Sequence, residues 1–145
     1  MKQMNQVSKG FSFTRLLRFL PAVIWMTVIF VLSSRTSDEI NTFLPFFQTF
    51  FPFMEGFDWG HFVSYFILAL TIDYGIGKTA DRLWMKVIIV VLCGLYGVTD
   101  EYHQSFVGGR MPDAMDVRND LIGAAIWTAL AAVPWIRKRW RKAAP

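Results

Sequence analysis

The sequence predicts an all-α integral membrane protein: a four-helix transmembrane bundle with N and C termini cytoplasmic and an interfacial aromatic segment between helices 1 and 2. Three observations predict it. Of 145 residues, 54% are hydrophobic and only 18% charged, with a mean hydropathy of +0.35. Apolar windows recur at roughly 19–32, 62–76, 87–98 and 121–136. Basic residues fall almost entirely on one side of those windows.

The length suits a single domain, 1–145, and leaves no room for a second catalytic module. Each window is shorter than the roughly 20 residues a span needs, but polar or amphipathic ends extend it. The predicted helices are therefore 16–34, 59–77, 84–104 and 115–136. Trp25, Trp84, Trp127, Trp135 and Trp140 lie in or beside these windows, several near ends where interfacial rings are expected.

The first window has the basic flank and apolar core of a signal peptide. Ser33-Ser34-Arg35 is a poor small-x-small cleavage site, however, and three further spans follow, so a retained helix is expected. Residues 43–54, Phe-Leu-Pro-Phe-Phe-Gln-Thr-Phe-Phe-Pro-Phe-Met, are too short and too proline-broken to span. They read as an interfacial or re-entrant segment on the outer leaflet, or as a lid over the bundle. The lone Cys93 lies inside the third window and reads as a small packing residue.

Of the 15 Lys and Arg residues, 12 precede helix 1, separate helices 2 and 3, or follow helix 4. The other side keeps Arg35, Arg110 and Arg118, together with nine of the 11 acidic residues. The positive-inside rule then puts both termini in the cytoplasm of a multi-pass membrane protein. The pI of about 9.5 reflects flanks lying near anionic lipid. No basic stripe is interleaved with exposed aromatics, so nucleic acid is not an expected partner.

Ionisable residues at the edge of a hydrocarbon layer are costly and usually face one another, a cavity or a ligand. The run Thr99-Asp100-Glu101-Tyr102-His103-Gln104 ends helix 3, and Asp116, Asn119 and Asp120 begin helix 4. Counting rises of 1.5 Å per residue brings both to one depth, with His61, Ser64 and Tyr65 at the start of helix 2. Tyr96, Asp100, His103 and Gln104 share a helix face. The plainer roles are an N-cap for Asp113, macrodipole partners for Asp116 and Asp120, and a pairing of Asp73 with Lys78 or Arg82. Arg110 is a headgroup anchor, a partner for Asp100 or Glu101, or a substrate ligand. Gly94, Gly97 and Gly123 read as close-packing positions.

Asp100-Glu101-Tyr102-His103-Gln104-Ser105-Phe106-Val107-Gly108-Gly109-Arg110, followed by Asp113, Asp116, Asn119 and Gly123, resembles the signature of VanZ-like membrane proteins. Their usual form is Asp-Glu-x-x-Gln-x-Phe-x-x-x-Arg, then an Asp-x-x-x-Asn helix start. Phe30-Val31-Leu32-Ser33-Ser34 and Asp58-Trp59-Gly60-His61-Phe62-x-x-Tyr65 resemble the family too, although Trp59 stands where a lysine is frequent. The founding member is associated with teicoplanin resistance in Gram-positive bacteria.

The polar cluster beside the aromatic segment is expected to bind or modify an outer-leaflet cell-envelope component, with membrane lipid, a lipid-linked cell-wall precursor or a lipoglycopeptide as partner; the resemblance itself implies no particular reaction. His61, Tyr65, Gln104, Arg110, Asp116 and Asn119 are the candidate ligand-binding residues; Asp100, Glu101 and His103 are the candidate catalytic ones. The alternatives are an integral-membrane enzyme and a structural assembly protein. In the enzyme, Asp100 or Glu101 works with His103 as an acid/base pair, or His61, His103, Glu101 and Asp116 hold Zn²⁺ or a harder cation. No compact ligand motif such as His-Glu-x-x-His is present, so neither metal nor cofactor is assigned.

Overall fold

The computed structural model describes residues 13–42, 44–50, 52 and 59–144, and these fold as helices and turns with no strand among them. α1 (Phe13–Leu17) leads through one turn into α2 (Leu20–Ser33), whose Pro21 sits in the first turn, where a missing N–H is harmless. Val23 N–H donates to the Phe19 carbonyl at 3.0 Å, so Arg15–Ser33 forms one 19-residue apolar length.

α3 (Ser37–Asn41) opens with a capping box. The Glu39 N–H donates to the Thr36 hydroxyl at 3.3 Å, and the Thr36 N–H donates back to the Glu39 carboxylate at 3.1 Å. The aromatic stretch then forms a short helix, α4 (Leu44–Phe50). The remainder of that predicted segment at 43, 51, 53 and 54, and Asp58 of the helix 2 motif, lie outside the described residues.

α5 (Trp59–Ile76) ends in a 3₁₀ turn, Gly77–Asp81, entered through Gly77 at φ +70°. α6 (Leu83–Gln104) follows, then α7 (Ala114–Leu130) and α8 (Pro134–Ala143). α5 is the central helix, packed against α7, α2 and α6, and α7 also packs on α6. Small residues permit these approaches. A Cβ at Gly123 would run into the Phe62 carbonyl, one at Gly94 into Leu121, and one at Gly97 into the Asp120 carboxylate.

The layering is inverted relative to a water-soluble protein. Val23, Ile24, Val31, Val87, Val91, Leu95 and Val98 are exposed on α2 and α6, while Asp73, Asp100, Glu101, Gln104, Asn119 and Asp120 are buried. An apolar belt of that extent suits hydrocarbon rather than water. Ile29, Tyr65, Leu68, Ile89, Cys93 and Trp127 fill the interior.

Two expectations change. Four windows predicted four spans, but two described helical lengths, Arg15–Ser33 and Leu83–Gln104, are long and apolar enough to cross, or three if α7 and α8 count as one bent span. α5 is the most enclosed of the long helices, whereas α7 turns Asn119, Asp120 and Thr128 inward and leaves Ile122, Ile126 and Leu130 at the surface. The fourth helix, expected over 115–136, stops at Leu130. Pro134 starts α8 at 93° to α7, because proline is accommodated at a helix start and not in its interior.

Candidate functional site

The first turn of α5, the last turns of α6 and the first turns of α7 end at one place, closed on a fourth side by the end of α2. Asp113 caps α7 by accepting the Met115 N–H at 2.8 Å, and its own N–H donates to Glu101 Oε2 at 2.8 Å. That pair ties the α6–α7 connection to the last turns of α6. Gly109, at φ +78°, makes the turn between them possible.

Within this end the side chains converge. Gln104 Nε2 donates to Asp100 Oδ2 and to Glu101 Oε1, each at 3.2 Å. Asp100 also accepts the Ser33 hydroxyl from α2. His61 Nδ1 is 3.0 Å from Asp120 Oδ1, and His61 Nε2 is 3.6 Å from Asp116 Oδ2. His61, Asp100 and Glu101 each offer one ligand atom within 4.8 Å of the others. Tyr65, one turn beyond His61, is 1% exposed, and its hydroxyl has no hydrogen-bond partner although Asp120 and Asp100 are within electrostatic reach.

Of the residues singled out from sequence, His61, Tyr65, Asp100, Glu101, Gln104 and Asp116 come together. Three others do not join them directly. His103 turns toward α2, where Nε2 lies 3.0 Å from Ser34 Oγ and the ring stacks on Phe30 at 4.2 Å. Its position one residue before Gln104 rotates His103 onto the α2 side, from which its charge still reaches Asp100. Arg110 Nε donates to the Arg35 carbonyl at 3.2 Å, rather than pairing with Asp100 or Glu101. Asn119 is buried and accepts from its neighbour Arg118 Nη2 at 3.0 Å.

Asp120 and Ser33 are the residues that sequence reasoning left outside the candidate site. Asp120 is fully buried and Oδ2 has no hydrogen-bond partner. The signal for it was its i+4 spacing from Asp116; the signal for Ser33 was the Phe-Val-Leu-Ser-Ser motif.

A second buried ionic group lies at the opposite end. Asp73 accepts from Trp140 Nε1 at 2.7 Å, and Arg141 Nη1 stands 2.7 Å away without hydrogen-bond alignment. Arg141 Nε also donates to Asp81 at 2.9 Å. The partner of Asp73 is thus α8, not Lys78 or Arg82, because the bend after Leu130 folds α8 back across α5.

A family model described as VanZ/LLP1 matches residues 18–136, from the start of the apolar length through the whole polar end. The chain belongs to the VanZ/LLP1 family. No curated protein and no solved structure matches it. In this VanZ/LLP1 chain the Asp-Glu-x-x-Gln run of the motif is held together by Gln104, which bridges both acids. The arginine of the motif serves the chain end of α2 through the Arg35 carbonyl. The spacing of the motif therefore has a physical basis: one helical turn sets Gln104 over Asp100, and the glycine turn returns Arg110 to α2.

Proposed function

We propose that this protein binds or modifies a polar component of the bacterial cell envelope at the outer leaflet of the cell membrane, the activity behind glycopeptide resistance of the teicoplanin type. The observation that carries the reading is the convergence of His61, Asp100, Glu101, Gln104, Asp116 and Asp120 from three helices at one end of an otherwise apolar bundle. Buried carboxylates are retained at such cost chiefly where they act on a ligand.

The cluster supplies acceptors for hydroxyl and amine groups, and Arg35, Arg110 and Arg118 belong to the same end. A guanidinium there suits a phosphate or carboxylate, which it grips bidentately. A lipid-linked cell-wall precursor or a lipoglycopeptide offers all of these groups. The four-span topology with cytoplasmic termini belongs to this proposal: α5 and α7, which do not qualify as spans alone, would cross packed against α2 and α6, with the cluster on the outer side.

The integral-membrane enzyme is the second reading, and the His61–Asp120 pair favours it. A buried carboxylate on Nδ1 orients an imidazole whose other nitrogen is then available for proton transfer, beside Asp100 and Glu101.

The test is protection of cells against teicoplanin, with binding of a fluorescent lipoglycopeptide to the cell surface as second readout. Arg110→Ala and Glu101→Gln should each abolish protection at normal protein abundance. Protection that persists in both variants, or that is lost only in proportion to abundance, overturns the proposal in favour of a structural assembly role.

A further inference from the structure

We propose that the cluster at the end of α5, α6 and α7 is a binding site for a first-row divalent metal ion, with His61 Nε2, Asp100 and Glu101 as ligands and Asp116 completing the shell. His61, Asp100 and Glu101 present ligand atoms within 4.8 Å of one another, close enough for small side-chain rotations to bring them onto one ion. The imidazole is already oriented for the task. With Nδ1 held by Asp120 at 3.0 Å, Nε2 carries the lone pair, which is the carboxylate–histidine–metal arrangement. Nε2 then stands 3.6 Å from Asp116 Oδ2, too long for a hydrogen bond. Two ligands at about 2.1 Å from one tetrahedral ion are about 3.4 Å apart, so that separation suits joint ligation.

Two independent observations point to a ligand. The Tyr65 hydroxyl, on a side chain 1% exposed, has no hydrogen-bond partner, and it lies within reach of Asp120 and Asp100. Buried polar atoms in folded proteins are almost always paired, and an ion with its bound water supplies donors and acceptors of the right kind. The charge is also unbalanced. Among the described residues no lysine or arginine forms a salt bridge with Asp100, Glu101 or Asp120; the basic groups near them are the imidazoles of His61 and, for Asp100, His103. Buried carboxylates without a cation carry a large desolvation cost, which a divalent ion offsets.

The donor set selects the ion. Carboxylates alone suit Mg²⁺, Ca²⁺ and Mn²⁺, whereas imidazole favours the transition ions, so a mixed nitrogen–oxygen set favours Zn²⁺ or Mn²⁺. His103, Phe30-stacked, is not part of it.

The experiment uses the full chain, purified tag-free in detergent, loaded separately with Zn²⁺, Mn²⁺, Mg²⁺ and Ca²⁺ and assayed by elemental analysis. Zn²⁺ or Mn²⁺ should be retained stoichiometrically after dialysis and should raise the unfolding temperature. Co²⁺ in the wild-type chain should give a visible spectrum of nitrogen and oxygen ligation without a thiolate band. Glu101→Gln should abolish saturable uptake, and Asp120→Asn, a positioning change, should weaken it about 10–100-fold. Asp81→Asn at the opposite end should leave uptake unchanged. Absence of saturable Zn²⁺ or Mn²⁺ uptake, uptake untouched by Glu101→Gln, or a Co²⁺ spectrum of the bare aqua ion each overturns the proposal. Should Glu101→Gln fail to fold, the wild-type Co²⁺ spectrum decides. Uptake is measured without any envelope component, so its failure and that of the envelope reading are separate results.

Discussion

Asp113 shows what a single residue contributes here. Its side chain accepts the Met115 N–H, and its backbone N–H holds Glu101, so only the first contact depends on the carboxylate. Asp113→Ala should therefore lower stability by about 1 kcal/mol, the ordinary value of an N-cap, while Asp113→Asn should restore most of it. Denaturant unfolding of the purified chain measures both, and a loss equal in the two variants would contradict the cap. This role was legible in the sequence because a cap is local: acceptor and donor lie two residues apart. His103 and Arg110 were not legible in the same way. Their contacts, Ser34, Phe30 and the Arg35 carbonyl, are 69 or more positions away in sequence and depend on where α2 ends. Helical spacing gives the face of α6 that His103 occupies, not which neighbour covers it.

At the scale of elements, the bend between α7 and α8 has the largest consequence. Periodicity and apolarity continue past Leu130 in the sequence, and the fourth window accordingly runs to 136. Pro134 overrides both, and the basic residues after it then lie on a helix that crosses the bundle end instead of trailing from it. Trp140 packs edge-on against Trp127 at 5.0 Å and against Tyr74 at 6.3 Å, which seats Arg141 over the fully buried Asp73. Removing one member of a buried ion pair costs about 3–5 kcal/mol, because the other is left uncompensated. Arg141→Ala should fall in that range, relieved in part by the bond Trp140 keeps with Asp73. The Arg141→Ala, Asp73→Asn double variant should recover much of the loss. Thermal unfolding in detergent reads both, and an additive double variant would show that the pair is not coupled. Metal uptake at the other end should persist in the folded fraction of each. The polar end itself was readable as a meeting of helix termini, since 1.5 Å per residue fixes depth from any anchoring position. The glycines at 97 and 123 were readable as contact positions for the same reason that the structure uses them: nothing larger fits.

For the whole molecule, helix length and charge together bear on how it sits in the membrane. α6, at 22 residues, is about 33 Å long and exceeds the roughly 30 Å of a hydrocarbon core, whereas α7, at 17, reaches only about 26 Å. Counting apolar windows overstated the number of helices able to span alone, because a window records composition and not where a helix ends: α7 stops at Leu130 after 17 residues. The distribution of charge is the stronger guide to orientation. The α8 end carries Arg137, Lys138, Arg139, Arg141 and Lys142, and the 3₁₀ turn carries Lys78; the proposed orientation puts both in the cytoplasm, where anionic inner-leaflet lipid would attract them. Gly108, exposed with open space around its Cα, lies at the other end beside the His61 cluster, and Lys78 is exposed in its turn. Cys93 is fully buried, so a Cys93→Ala background gives a clean labelling host. Gly108→Cys should then react with a membrane-impermeant maleimide on intact cells, and Lys78→Cys only after permeabilisation. The reverse pattern would put the carboxylate cluster in the cytosol. It would end the envelope reading while leaving the metal site to be judged by its own chemistry, because ligation depends on the convergence of α5, α6 and α7 and not on the side from which the ion arrives.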